Sequence, residues 1–126
     1  MTTYLEHANI TVPDIDAAIR FLKQVDPSFF VRHDGQSEGN YRWAHIGNDR
    51  FYIALEEPHS SDGTLQTVRT YQDYGVNHLG WVSDDFEATV ERLESRGDKK
   101  GQPTPPHPGR KRAYFFDDAG LEGEML

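Results

Sequence analysis

Polar and apolar residues alternate at the start of the chain. Ala8, Ile10 and Val12 point one way and His7, Asn9 and Thr11 the other, so Tyr4 to Val12 reads as a strand. Pro13 and Asp14 stop it, and Asp14 is placed to cap a helix. The period then changes: Ile15, Ala18, Ile19 and Leu22 recur at i, i+3, i+4 and i+7, one apolar helical stripe that ends before Pro27. Ser28 to Arg32 reads as a short strand. Tyr41 to Ile46 and Arg50 to Glu56 read as two more, joined at Gly47, Asn48 and Asp49. The order is strand, helix, three strands.

The same order returns further on. Leu79 and Trp81 face one side of a strand opening at Val76, and His78 and Gly80 the other. Asp84 and Glu87 have the spacing of a capping box. Phe86, Thr89, Val90 and Leu93 form the helical stripe, and Gly97 suits its C-terminal end. Gly97 to Gly109 carries four prolines and reads as a loop with room for a short edge strand. Arg110 to Phe116 is a strand, Asp117 to Gly120 a turn, and Leu121 to Leu126 begins a last strand. The sequence stops inside that strand, which suggests a truncated chain. His59 to Thr64 is a polar connector, and Leu65 to Tyr74 reads as a short helix.

The two halves are related by a shift of 71 residues. It carries His7 to His78, Asp14 to Asp85, Ala17 to Ala88 and Leu22 to Leu93, with Ile15, Asp16 and Ile19 meeting Phe86, Glu87 and Val90. The expectation is an α+β fold of two βαβββ modules, each a curved mixed sheet with its helix outside. One domain is divided into module 1 (about residues 4–58), a connector (about 59–75) and module 2 (about 76–126).

Composition narrows the function. Among 126 residues, 21 are acidic and 13 are Lys or Arg, for a net charge of −8. Nucleic acids and anionic membranes both select a basic face, so neither is an expected partner. Absence of cysteine removes disulfides, thiolate metal sites, iron–sulfur clusters and cysteine nucleophiles. Apolar runs such as Phe51 to Leu55 are too short to span a bilayer, and the N-terminus lacks a signal-peptide pattern, so a cytoplasmic protein is expected.

Of six histidines, His7 and His78 alone occupy equivalent positions, each on the strand face turned away from the helix. Modules facing each other would let the two converge, and a carboxylate would complete a site for Fe(II), Mn(II), Zn(II), Ni(II) or Co(II). Glu122 and Glu124 share a face of the last strand, and periodicity does not choose between them. His33, His45, His59 and His107 are expected at the surface or in loops. Tyr41, Trp43, Tyr52 and Trp81 are expected mainly in the core, with Trp43 and Tyr52 also placed to line a pocket. Arg110, Lys111 and Arg112 read either as a solvated strand end or as a clamp for an anionic substrate group; Arg112, Tyr114 and Phe116 share one face. Asp84 and Asp85 belong to helix capping.

Three stretches carry a family resemblance: Leu5 to Asp16 (LEHANITVPDID), Val76 to Asp85 (VNHLGWVSDD) and Tyr114 to Glu124 (YFFDDAGLEGE). The first two resemble the His-bearing opening strands of the vicinal oxygen chelate superfamily, which includes glyoxalase I, fosfomycin-resistance proteins, bleomycin-binding proteins and extradiol dioxygenases. The third is similar to that family's Y–F–x–D–P–x–G–x–x–x–E signature, with Asp118 in place of proline. Its spacing selects Glu124 over Glu122. Open sheets with exposed edges predict a homodimer. The resemblance implies a metal site of His7, His78 and Glu124, formed within one chain or between swapped modules, and a small-molecule substrate chelated through two neighbouring oxygens. It implies lyase, isomerase or dioxygenase chemistry, the metal acting as Lewis acid or, if iron, activating O₂. The fourth ligand of four-ligand glyoxalases falls on Ala54. Glu56, two residues on, is the candidate base or replacement ligand, and the substitution points to the three-ligand subgroup. The alternative implied by the same resemblance is a metal-free binding protein of the bleomycin-resistance type.

Overall fold

Strand β1 (His7–Thr11) leads into helix α1 (Ile15–Val25) exactly where the hydrophobic period changes from two to 3.6. Asp14 is the N-cap: the Ala17 N–H donates to its Oδ1 at 3.0 Å. Ile15, Ala18, Phe21, Leu22 and Val25 are buried along the inner stripe of α1. Strands β2 (Phe30–Gln36), β3 (Arg42–Gly47) and β4 (Tyr52–Glu56) complete the first half. Asn48 shapes the β3–β4 turn, its Oδ1 accepting the N–H groups of Arg50 and Phe51. The sheet runs β1–β4–β3–β2, with β1 parallel to β4 and the other pairs antiparallel. A computed structural model supplies these coordinates, and it describes residues 2–59, 69–101 and 103–126.

The second half repeats the plan with β5 (Leu79–Trp81), α2 (Phe86–Arg96), β6 (Lys99–Lys100), β7 (Ala113–Phe116) and β8 (Glu122–Met125), in the order β5–β8–β7–β6. Here too the first strand is parallel to the last. The architecture is α+β in two βαβββ halves, as the 71-residue shift demands.

Several local readings change. The N-cap of α2 is Asp85, not Asp84: the Ala88 N–H donates to Asp85 Oδ1 at 3.0 Å. Asp85 is the shifted equivalent of Asp14, so both helices use one device. Gly97 closes α2 at φ +85°, with Gly97 N–H donating to Glu94 O and Asp98 N–H to Leu93 O, a Schellman end. Strand β2 runs on to Gln36, through polar residues that an exposed edge tolerates. Residues 65–68 of the expected connector helix lie outside the described residues. Arg69 to Tyr74 form turns instead, with Gln72 and Asp73 N–H both donating to Arg69 O.

The halves share one core. Phe21 of α1 packs onto Gly123 of β8, where an added Cβ would sit 3.2 Å from the Phe21 ring. Arg92 of α2 donates through Nε to Gln24 O and through Nη2 to Val25 O, satisfying carbonyls that the last turn of α1 leaves open. No helix among the described residues is long and apolar enough to cross a membrane.

Candidate functional site

Alternation along β8 sorts its side chains. Gly123 and Met125 turn toward α1 and the core; Glu122 and Glu124 turn to the opposite face. Gly80 of β5 and Tyr114 of β7 both pair with Glu124. His78 lies one residue before β5 on the side of Gly80, and its Nε2 is 3.0 Å from Glu124 Oε2. Glu124 Oε2 can only accept when ionised, so at this distance either His78 Nε2 carries a proton directed at it or the two share a cation. The other ring nitrogen, Nδ1, is 3.0 Å from Tyr71 Oη. Tyr71 holds an unusual backbone conformation, φ +64°, and its N–H donates to Asn77 Oδ1 at 2.7 Å. The Tyr114 ring meets His78 edge-on at 5.4 Å. Burial holds the Tyr114 hydroxyl above its usual range, with Glu124 adding to the effect. Burial likewise raises the Glu122 carboxyl, while His78 and Tyr71 pull it back.

The opposite face of the first sheet carries a line of rings. His7 stacks on Tyr52 at 4.8 Å, Tyr52 on His45 at 4.6 Å, and His45 meets Trp43 at 5.1 Å. The Arg32 guanidinium lies 4.6 Å over Tyr52. His45 is held below its ordinary value, first by burial, then by the charges of His33, Arg32 and His7, against the pull of Glu56. Beside Trp43 opens a cavity of about 320 Å³ lined by Asn9, Ser37, Tyr41, Trp43, His45 and Glu56. Trp43 lies flat over Gly35, its partner on β2; a Cβ there would stand 2.7 Å from the indole. His59 stacks on Tyr41 and places Nε2 3.6 Å from Glu56 Oε1.

His78 and Glu124 thus come together, and His7 does not join them. It sits exposed at the start of β1, with Nδ1 3.0 Å from Glu6 Oε1. Among the described residues no three His, Asp or Glu side chains gather around one metal position. The reason is topological: β1 pairs with β4 and β5 with β8, so the two histidines occupy edges of separate sheets. Glu56 pairs with Thr11, four residues further along β4 than Tyr52, the partner of His7. At the rise of a strand that is roughly 13 Å, which places Glu56 with the cavity and away from His7. Of the basic run, Lys111 pairs with Glu87 of α2, and Arg112 donates to Pro105 O at 3.3 Å.

Tyr41, Trp43 and Tyr52 are half-buried on the open face and lie outside the core; only Trp81 packs against it. His45 is a half-buried strand residue, contrary to the surface expectation. Its place between the buried Ala44 and Ile46 was the available signal. Tyr71 left none, since it comes from the connector. A groove of about 500 Å³ between α1 and α2 is lined by residues including Arg92, whose guanidinium is already committed to α1 carbonyls.

A model of the Glyoxalase/Bleomycin resistance protein/Dioxygenase superfamily matches residues 6–115. Comparison with curated proteins finds no match. Among solved structures, a glyoxylase/bleomycin resistance protein/dioxygenase domain from Frankia sp. EAN1pec is similar at 20% identity and TM-score 0.77, over 99% of this chain and 97% of that one. A mutant of the fosfomycin resistance protein FosX from Listeria monocytogenes, complexed with Mn(II) and 1S,2S-dihydroxypropylphosphonic acid, is similar at 21% identity and TM-score 0.72, over 99% and 92%. A glyoxalase family protein from Enterococcus faecalis is similar at 19% identity and TM-score 0.74, over 97% and 95%.

Proposed function

The chain belongs to the Glyoxalase/Bleomycin resistance protein/Dioxygenase superfamily, and on that premise we propose that it is a divalent-metal-dependent enzyme acting on a small, oxygen-rich organic molecule. Its ligands are His7, His78 and Glu124, and its ion is one of Fe, Mn, Zn, Ni or Co. The chemistry is lyase, isomerase or dioxygenase in kind. The observation that carries the reading is the 3.0 Å approach of His78 Nε2 to Glu124 Oε2, two atoms that need a cation or proton between them. The Mn(II) held by the FosX mutant supports a divalent ion in this fold.

The third ligand comes from a second copy of the chain. His7 stands on the edge strand of one sheet and His78 beside the edge strand of the other. Exposed apolar side chains flank both edges, Tyr4 and Leu5 before β1 and Val76 and Val82 around β5. A homodimer joined along these edges buries those residues and brings His7 of one protomer to the His78–Glu124 pair of its partner.

When bound, the ion supplies Lewis acidity to a developing oxyanion or, as iron, a site for O₂. The protein's groups do the rest. With an ion on Nε2, His78 would carry its proton on Nδ1 and donate it in a hydrogen bond to Tyr71 Oη, 3.0 Å away. Tyr114 borders the site with a hydroxyl that stays protonated, available to donate a hydrogen bond to a substrate oxygen. Glu56 faces the cavity, a place suited to substrate and not to the metal. Arg112, engaged with Pro105 O, orders the loop that borders Tyr114.

The test is elemental mass spectrometry on protein purified without a metal-affinity tag, with His78→Ala beside it. About one divalent ion per chain, lost in the variant, is the expected result; no ion under any loading condition sinks the reading. A second reading, a metal-free binding protein of the bleomycin-resistance type, is favoured by the aromatic wall of the first sheet, where Tyr41 and Trp43 line an open cavity.

A further inference from the structure

We propose that the cavity beside Trp43 takes a flat aromatic or heteroaromatic molecule carrying a protonated nitrogen, with Glu56 pairing the cation. The inference names the substrate class of the site above and rests on that reading only for what happens after binding.

Three observations carry it. The wall is a set of ring faces: Trp43, His45 and Tyr41 all line the cavity, and Trp43 meets His45 at a tilt, at the end of the ladder that leads through Tyr52 to His7. Such faces bind flat ligands by stacking and attract cations through the ring quadrupole. Of the six lining residues only Glu56 carries a formal charge, and it is negative. Burial first, and then nearby charge, holds His45 below its ordinary value, so a positive charge on it is disfavoured and Glu56 sets the sign of the lining. A phosphonate or carboxylate in this cavity would lose water and meet a carboxylate. The volume, about 320 Å³, falls at the lower end of small-ligand sites. Seated there, a ligand has its cationic end at Glu56 and its other end directed along the rings toward His7, where its chelating oxygens belong.

The experiment titrates phenethylammonium, neutral 2-phenylethanol and anionic phenylphosphonate into the ¹⁵N-labelled protein at pH 8. The two indole N–H signals, of Trp43 and Trp81, are assigned with Trp43→Phe. Expected is a shift of the Trp43 signal, with the ammonium binding about tenfold more tightly than the alcohol and the phosphonate weakest. Glu56→Gln removes the preference for ammonium over alcohol and leaves the alcohol's affinity and the Trp81 signal in place. Equal or tighter phosphonate binding, an ammonium preference that survives Glu56→Gln, or no movement of Trp43 with any probe overturns the proposal. Metal content of the same sample separates the two ideas. Ammonium binding without metal sinks the enzyme reading alone, and metal without ammonium preference sinks this one alone.

Discussion

Ala54 and Glu124 occupy the same register position in the two sheets. Asn9, two residues after His7, pairs with Ala54; Gly80, two residues after His78, pairs with Glu124. One half of the duplication therefore keeps a histidine with its carboxylate, and the other keeps the histidine over an alanine. On the proposed reading, a chain with this asymmetry would supply the parts of one three-ligand site.

If that site is assembled from two copies, it is separable by mixing. His7→Ala and Glu124→Gln proteins, each purified alone, bind less than a tenth of the wild-type metal. Co-refolded at equal amounts, they recover about a quarter of the sites, because half of the dimers are hybrids and each hybrid has one intact site. Elemental analysis of the mixture checks this; a mixture as empty as its parents means that both ligands come from one chain.

Tyr71→Phe removes the hydrogen-bond partner of His78 Nδ1 and leaves the ring contact in place. Metal affinity falls about 10- to 100-fold, as for other lost partners of metal-binding histidines. Competition against a chromophoric chelator measures it. In the metal-free protein, imidazole ¹⁵N shifts of His78 change as well, a readout that a merely structural tyrosine would leave alone.

His45 makes stability fall with acidification. Its folded value lies below the ordinary 6.5 because the protonated form is desolvated and faces His33, Arg32 and His7. Between 6.5 and that lower value the unfolded chain binds more protons than the folded one, so unfolding becomes easier as pH drops through this window. Glu122 and Asp117, both raised by burial, have the opposite sign: their contribution is present at low pH and is lost as pH rises. Urea unfolding of wild type against His45→Asn, from pH 8 to 5, isolates the histidine. The gap between them should change over that window, and parallel curves would contradict the assignment.

Asp117 holds the turn that presents β8. Its Oδ1 accepts the N–H groups of Ala119 at 2.9 Å and Leu121 at 2.8 Å, while Gly120 takes φ +94°. Asp117→Ala leaves those donors without their partner and costs about 2 kcal/mol in chemical denaturation. Asp117→Asn keeps the accepting oxygen and costs less than half as much.

Residues that face the core were the legible ones. The stripe of α1, both strand-to-helix transitions and the twofold plan follow from apolar spacing, because burial imposes its period on the sequence. Where burial is absent the signal fades: β2 extends through His33, Asp34, Gly35 and Gln36 without an apolar residue to announce it. The cap of α2 shows a local rule and a long-range one in conflict. A capping-box spacing favoured Asp84, while the repeat favoured Asp85, and the long-range relation was the better guide. At the site, the repeat marked His78, and only the resemblance to the family's terminal signature picked Glu124 over Glu122. The sequence carried nothing about Tyr71, whose contact depends on how the connector folds back, nor about which sheet edges stand apart.

Gly35 never touches the cavity, yet it sets the cavity's depth. The indole of Trp43 rests where a side chain at position 35 would be, so even one methyl group there would displace the ring that walls the cavity. Position 35 is a shim beneath the binding wall. If a flat ligand binds there, the thickness the cavity admits would be adjustable from behind, by a residue that does not line it.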